Sequence, residues 1–118
     1  MLKPHGSDTL NPLFVADDAK RAALLEEAAG LKSIVVSSAA AANAVMMGSG
    51  YFNPLTGYMN LADSMAVAEK METTGGLFFP VPIVNVVEDA SGIEVGMRIA
   101  LLDPNVDGNP VLAIQTVA

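Results

Sequence analysis

The chain has 118 residues, enough for one domain with a single core, and its 52% apolar and 16% charged content excludes an intrinsically disordered segment. Thirteen acidic against six basic residues give a formal net charge of −7, and the cations Lys3, Lys20, Arg21, Lys32, Lys70 and Arg98 form no cluster. That balance opposes nucleic-acid binding, which needs phosphate neutralisation, and the lack of cysteine excludes disulfides, thiolate catalysis and Cys-ligated zinc.

Residues 1–16 read as an extended arm, because Pro4, Gly6 and Pro12 oppose a regular helix. The start, MLKPHGSD, has no signal-peptide pattern. Asp17 is placed to cap a helix running to about Ala29, with Asp18 in the first turn and Gly30 as the stop. Ala22, Leu25 and Ala29 recur at helical spacing and predict its buried face. The β-branched run Ile34-Val35-Val36 predicts a short strand. Ser37 or Ser38 then caps a second helix, Ala39 to Met47, released by Gly48 and Gly50.

The stretch GYFNPLTGYMN, Gly50 to Asn60, mixes turn formers with aromatics and carries no charge. Asn53-Pro54 and Gly57 shape a turn, while Tyr51, Phe52, Leu55, Tyr58 and Met59 are expected to pin it to the core. Asn60 caps a third helix, about Leu61 to Thr73, with Leu61, Met65, Ala68 and Met71 along one side and Thr74-Gly75-Gly76 at its end. Beyond Leu77 the pattern reads as β. Phe78 to Val87 is a strand region that Pro80 and Pro82 confine to an edge or bulge. A turn at Glu88–Gly92, a strand from Met97 to Leu102, a turn DPNVDGN at 103–109 and a strand from Pro110 to Val117 complete the order. About three helices followed by strands predict an α+β domain, a small, partly closed β-barrel. The apolar run LFFPVPIVNVV is too short and too broken by proline to span a bilayer, so a soluble, cytoplasmic chain is expected.

No catalytic constellation is legible. His5, the one histidine, lies between Pro4 and Gly6 in the arm and reads as a structural hydrogen-bonder rather than a general base. Phosphate-loop glycine patterns and a nucleophile elbow are missing; Gly48-Ser49-Gly50 follows a helix, the wrong pole for a phosphate. The neighbouring carboxylates Asp17-Asp18, Glu26-Glu27 and Glu88-Asp89 read as solvated surface, the methionines as core filler, and Arg98 as a strand-edge cation. No catalytic, cofactor-binding or metal-binding residue is therefore assigned.

Four segments nevertheless resemble a known family: KPHGSDTLNPLFV at 3–15, NAVMMGSGYFNPLTGYMN at 43–60, GGLFFPVPIV at 75–84 and IALLDPNVDGNPVLAIQTV at 99–117. Together they are similar to the N-terminal, PUA-like domain of sulfate adenylyltransferase (ATP sulfurylase). Asn53 departs from an expected Ser, and Gly75 from a common Asp-Gly turn. The family's catalytic Q-x-R-N-P-x-H-x-x-H and G-R-D-H-A-G segments do not occur in residues 1–118. Because AIQTVA ends inside a strand pattern, the domain is expected to be truncated at its C-terminal end.

The resemblance implies a parent enzyme that interconverts ATP plus sulfate with adenosine 5′-phosphosulfate plus pyrophosphate, using Mg-ATP. This chain would be a non-catalytic scaffold, inactive alone, partnered by the catalytic domain of the same enzyme and part of a homo-oligomer, without nucleic acid or membrane. Two alternatives stand beside it. One is a free-standing PUA-like RNA-binding module, which the net charge opposes. The other is an interaction fragment docking on a separate catalytic subunit, which predicts an exposed apolar patch where the polypeptide would continue.

Overall fold

A computed structural model describes residues 2–118. Three helices and three strands alternate in the order α1 (Asp18–Ala29), β1 (Ser33–Val35), α2 (Ser38–Gly48), α3 (Leu61–Lys70), β2 (Arg98–Leu102) and β3 (Val111–Thr116). The helix caps are the predicted ones. Asp17 accepts from the Lys20 amide, Ser37 from the Ala40 amide and Asn60 from the Asp63 amide, each satisfying an orphan donor of a first turn.

The sheet is mixed, with β2 between a parallel β1 and an antiparallel β3. Ile34 lies opposite Leu101, and Leu101 opposite Ala113, before an irregularity between Leu101 and Leu102. β2 is the central strand, so Ile99 and Leu101 are covered from both sides. They form the core with Val36, Met47, Tyr58, Val67, Phe79 and Ile83. The α+β class is as expected, and the three-stranded sheet stays open, with β1 and β3 as its edges.

Several expectations need correction. In α1 the buried residue is Ala28, while Ala22, Leu25 and Ala29 are exposed; the helix meets the sheet along a face rotated from the predicted stripe. Helix α3 stops at Lys70 rather than Thr73, because Met71 takes a left-handed conformation (φ 56°) and the chain turns back on itself. The Thr73 amide then donates to the Leu77 carbonyl and the Phe79 amide to the Met71 carbonyl. Leu61, Met65, Ala68 and Met71 are exposed, and Val67 is the buried side chain of α3. Asp63, in the first turn of α3, receives the Thr74 hydroxyl and amide, which hold its carboxyl below the usual carboxylate range.

Residues 78–87 form no strand, apart from a single bridge between Glu72 and Phe78. Pro80 and Pro82 have no amide hydrogen to give to a ladder. The two polar turns behave as their composition predicts. Asp89 accepts from the Ser91 hydroxyl and amide, and Asp103 accepts from the Asn105 amide while Asn109 donates to the Asp103 carbonyl.

Candidate functional site

The most elaborate side-chain arrangement joins the N-terminal arm to the loop Gly50–Asn60. Its hub is Asn53, 5% exposed, the one buried polar side chain among the described residues. Its Oδ1 accepts from the Asn11 amide at 3.0 Å, and its Nδ2 donates to the His5 carbonyl and the Ser7 hydroxyl, both at 2.7 Å. Three of the four hydrogen-bonding positions of the amide are thereby filled by the arm. The following Asn53-Pro54 peptide is cis.

Gly6 explains how the arm comes so close. It has φ 76°, and a Cβ there would lie 2.7 Å from Cδ of Pro54, so only glycine fits both the backbone and the space. Farther along, the Phe14 amide donates to the Gly48 carbonyl in the last turn of α2.

His5 takes the structural role expected of it. Its Nε2 lies 2.6 Å from the Phe78 carbonyl, so this nitrogen carries the proton and donates. The ring stands edge-on to Phe78 and Phe79, with centroids 6.3 and 5.7 Å away. A shallow cleft of about 310 Å³ opens here, lined by His5, Tyr51, Phe52, Phe78, Phe79 and Val81 among others. Tyr51, expected in the core, is instead 74% exposed on the rim of this cleft. Phe52 and Leu55 pack partly against the core, and Tyr58 and Met59 are buried in it. The cleft offers apolar contact, with its one imidazole already engaged.

Tyr58 closes the loop onto α2. Its hydroxyl donates to the Ala40 carbonyl at 2.6 Å, and burial pushes its pKa up to about 12. Because the raised pKa favours the neutral phenol, the folded state is stabilised below about pH 10 and loses that stabilisation as pH rises from 10 towards 12. Tyr58→Phe should therefore unfold more easily than the native chain at pH 8, by about 1 kcal/mol, and show a flatter alkaline limb. Urea titrations at pH 8, 10 and 11 measure both; parallel pH profiles would contradict the assignment.

The remaining charged side chains are dispersed. Arg98 places Nε and Nη2 at 3.1 and 2.6 Å from the same carboxylate oxygen of Glu27, tying β2 to α1. Lys3 pairs with Asp8, Arg21 with Asp18, and Lys32 donates to the Ser91 carbonyl. Among the described residues no three His, Cys, Asp or Glu side chains converge to hold a metal. This donor set does not fit Mg-ATP, whose phosphates need converging cations. No helix is long and apolar enough to cross a membrane.

A family profile described as "PUA-like domain" matches residues 2–118. The chain belongs to the PUA-like domain family. This PUA-like domain is similar to the N-terminal region of proteins named sulfate adenylyltransferase. It is 58% identical over 118 residues to that of Alcanivorax borkumensis, covering 100% of this chain and 29% of the relative. Identity is 55% over 117 residues with that of Allochromatium vinosum, covering 99% of this chain and 30% of the relative. The corresponding protein of the Riftia pachyptila sulfur-oxidizing endosymbiont is 46% identical, with 99% and 26% covered. A solved structure, the hexameric APS kinase from Thiobacillus denitrificans, superposes with a TM-score of 0.81 at 32% identity, over 98% of this chain and 23% of that one. The PUA-like domain thus spans under a third of the length of these relatives.

The Asn53 hub is not visible from sequence reasoning. An Asn before Pro predicts a local turn bond, whereas this amide reaches partners 42–48 residues away. One signal does point to it: Asn53 stands where the family resemblance leads to an expected Ser, and the longer amide has two N–H donors where a hydroxyl has one.

Proposed function

We propose that this PUA-like domain is the N-terminal, non-catalytic scaffold of a sulfate adenylyltransferase, whose parent enzyme interconverts ATP plus sulfate with adenosine 5′-phosphosulfate plus pyrophosphate. The observation that carries the reading is 58% identity along the whole chain to a protein of that name. Chemistry supports the scaffold role. Nucleotidyl transfer needs cations gathered around the phosphates, whereas here Lys3, Arg21 and Arg98 are paired with carboxylates and Lys32 with a turn carbonyl. Mg-ATP belongs to the catalytic portion of the parent in this reading. The domain partners that portion within one polypeptide, in a cytoplasmic homo-oligomer of the kind that the hexameric structural neighbour exemplifies.

Sulfate-dependent exchange of pyrophosphate into ATP tests the proposal. Residues 1–118 alone should give no exchange above the blank, and the protein read through from its gene should give robust exchange. Turnover by the isolated domain would overturn the scaffold role, and no turnover by the longer protein would overturn the parent activity.

A further inference from the structure

The loop from Asp103 to Asn109 joins β2 to β3, and Asp107 within it differs from every other aspartate of the chain. Asp8 and Asp18 pair with Lys3 and Arg21, and Asp17 caps α1. Asp63 accepts from Thr74, Asp89 from Ser91 and Asp103 from the Asn105 amide. Asp107 is exposed, and among the described residues its carboxylate accepts no hydrogen bond and joins no ion pair. It is also the one aspartate followed by glycine, and no asparagine of the chain precedes glycine. Gly108 has φ 82°, with nothing within 4 Å of where a Cβ would stand. Its amide donates to no protein group among the described residues.

A free aspartyl side chain next to an unpaired, unhindered amide is a reactant pair already held together by the chain. Glycine contributes twice, because it lacks the Cβ that obstructs attack and its backbone turns freely. We propose that Asp107 is a site of spontaneous covalent modification, isomerising to β-linked isoaspartate through a cyclic imide with Gly108. The Gly108 nitrogen attacks Cγ of the protonated Asp107 carboxyl. An N–Cγ bond forms, the bond from Cγ to the hydroxyl breaks, and the amide hydrogen leaves with that hydroxyl as water. Water then adds across the imide. Opening at Cγ restores aspartate, whereas opening at the original main-chain carbonyl leaves the chain running through Cγ. Composition is unchanged overall, and water is the one co-reactant.

The hydrogen bonds of the loop give the modification a structural consequence. The Asp103 amide donates to the Pro110 carbonyl, and the Asn109 amide donates to the Val106 carbonyl, spanning Asp107 and Gly108. The Ser38 hydroxyl donates to Asn105, which ties the loop to the start of α2. A β-linkage inserts an extra main-chain carbon inside the turn that the Asn109–Val106 bond closes, so that bond is lost. The loosened turn adjoins the end of the hairpin where Leu102 pairs with Val111. Isomerisation also leaves a carboxylate on the α-carbon, the group that isoaspartyl-specific methyltransferases esterify from S-adenosylmethionine.

The protein as its gene encodes it is kept folded at physiological temperature and neutral pH, with samples taken over weeks. A protease that cuts before aspartate but not before isoaspartate reports the change as lost cleavage between Val106 and Asp107. Methyl transfer from labelled S-adenosylmethionine by an isoaspartyl methyltransferase measures the product independently. Cleavage before Asp107 should decay at least about tenfold faster than cleavage before Asp8 or Asp89, and the methyl label should rise in step. Asp107→Asn reaches the same imide by losing ammonia and should gain the label faster, whereas Asp107→Glu should leave this loop unlabelled. Hydrogen exchange at the Asn109 amide should be slow in fresh protein and fast in the isomerised fraction. Undiminished cleavage before Asp107, equal loss at all aspartates, or equal labelling of Asp107→Glu overturns the proposal. Conversion that occurs only after unfolding in urea also overturns it, because the folded loop would then hold the two groups apart. An Asn109 amide equally protected after isomerisation overturns the effect on the hairpin.

Discussion

Leu101→Ala is expected to destabilise the domain by about 3 kcal/mol, within the range of 2–5 kcal/mol typical of large-to-small core substitutions. Leu101 is 1% exposed and sits on the central strand, opposite Ile34 on one side and Ala113 on the other. Alanine removes the transfer free energy of three carbons and leaves a void where both flanking strands are fixed by their own ladder bonds. The site therefore has little freedom to collapse. Midpoints in urea for the native chain and the variant give the difference directly, and Leu101→Met, which conserves volume, should cost less than about 1.5 kcal/mol. A loss under about 1 kcal/mol for alanine would mean that β2 is not the centre of the core. Because the sheet is open and only three strands wide, a loss of this size consumes much of the stability available to a domain of this length.

Asn53→Ala is expected to cost about 2–3 kcal/mol and to release the arm from the loop. The cost is larger than that of an ordinary hydrogen bond because the substitution leaves the Asn11 amide and the His5 carbonyl without their partner in a partly buried position. Asn53→Asp separates donor from acceptor. Its carboxylate still accepts from the Asn11 amide, but it faces the His5 carbonyl with no donor, and the Ser7 hydroxyl proton is already given to the Thr9 carbonyl. At neutral pH it should be at least as damaging as alanine, whereas Asn53→Ser should retain part of the stability. Hydrogen exchange at the Asn11 amide is the specific readout, since its acceptor is Asn53 and no other group. An Asn11 amide equally protected in the native chain and in Asn53→Ala would contradict the hub, even if global stability fell.

The two effects differ in what they report. Leu101 tests the central strand, whose Ile99 and Leu101 join the core cluster, and Asn53 tests a polar clamp that orders residues 5–11 against a loop distant in sequence. Arm and sheet are joined through Phe79, which contacts the His5 ring on one side and lies in the core cluster on the other. The aromatic cleft is therefore part of the path by which the arm is fixed: Phe78 also holds His5 through its carbonyl, while Tyr51 and Val81 stand exposed on the rim.

Elements governed by short-range chemistry are legible in the sequence. Asp17, Ser37 and Asn60 cap helices because a side-chain oxygen three residues before an orphan amide is a local geometry. The turns at Asp89 and Asp103 follow from the same kind of contact, and the runs RIALL and VLAIQT are strands wherever a partner is offered. Membership of the PUA-like family is legible too, because motifs such as KPHG and GYFNPLTGYMN reflect positions with few solutions. Gly6, for instance, has no room for a Cβ.

What only the tertiary structure decides depends on partners remote in the chain. Spacing places Leu61, Met65, Ala68 and Met71 along one side of α3, but burial of α3 is set by where the core lies, and it falls on Val67. Tyr51 and Asn53 exchange their expected environments for the same reason: the arm covers Asn53, and nothing in residues 2–118 covers Tyr51. The strand pattern of residues 78–87 has no ladder because β pairing requires a second strand, and a sequence pattern describes one side of that bond only. Local hydrogen-bond chemistry is written in neighbouring residues, whereas burial and pairing are properties of two surfaces meeting.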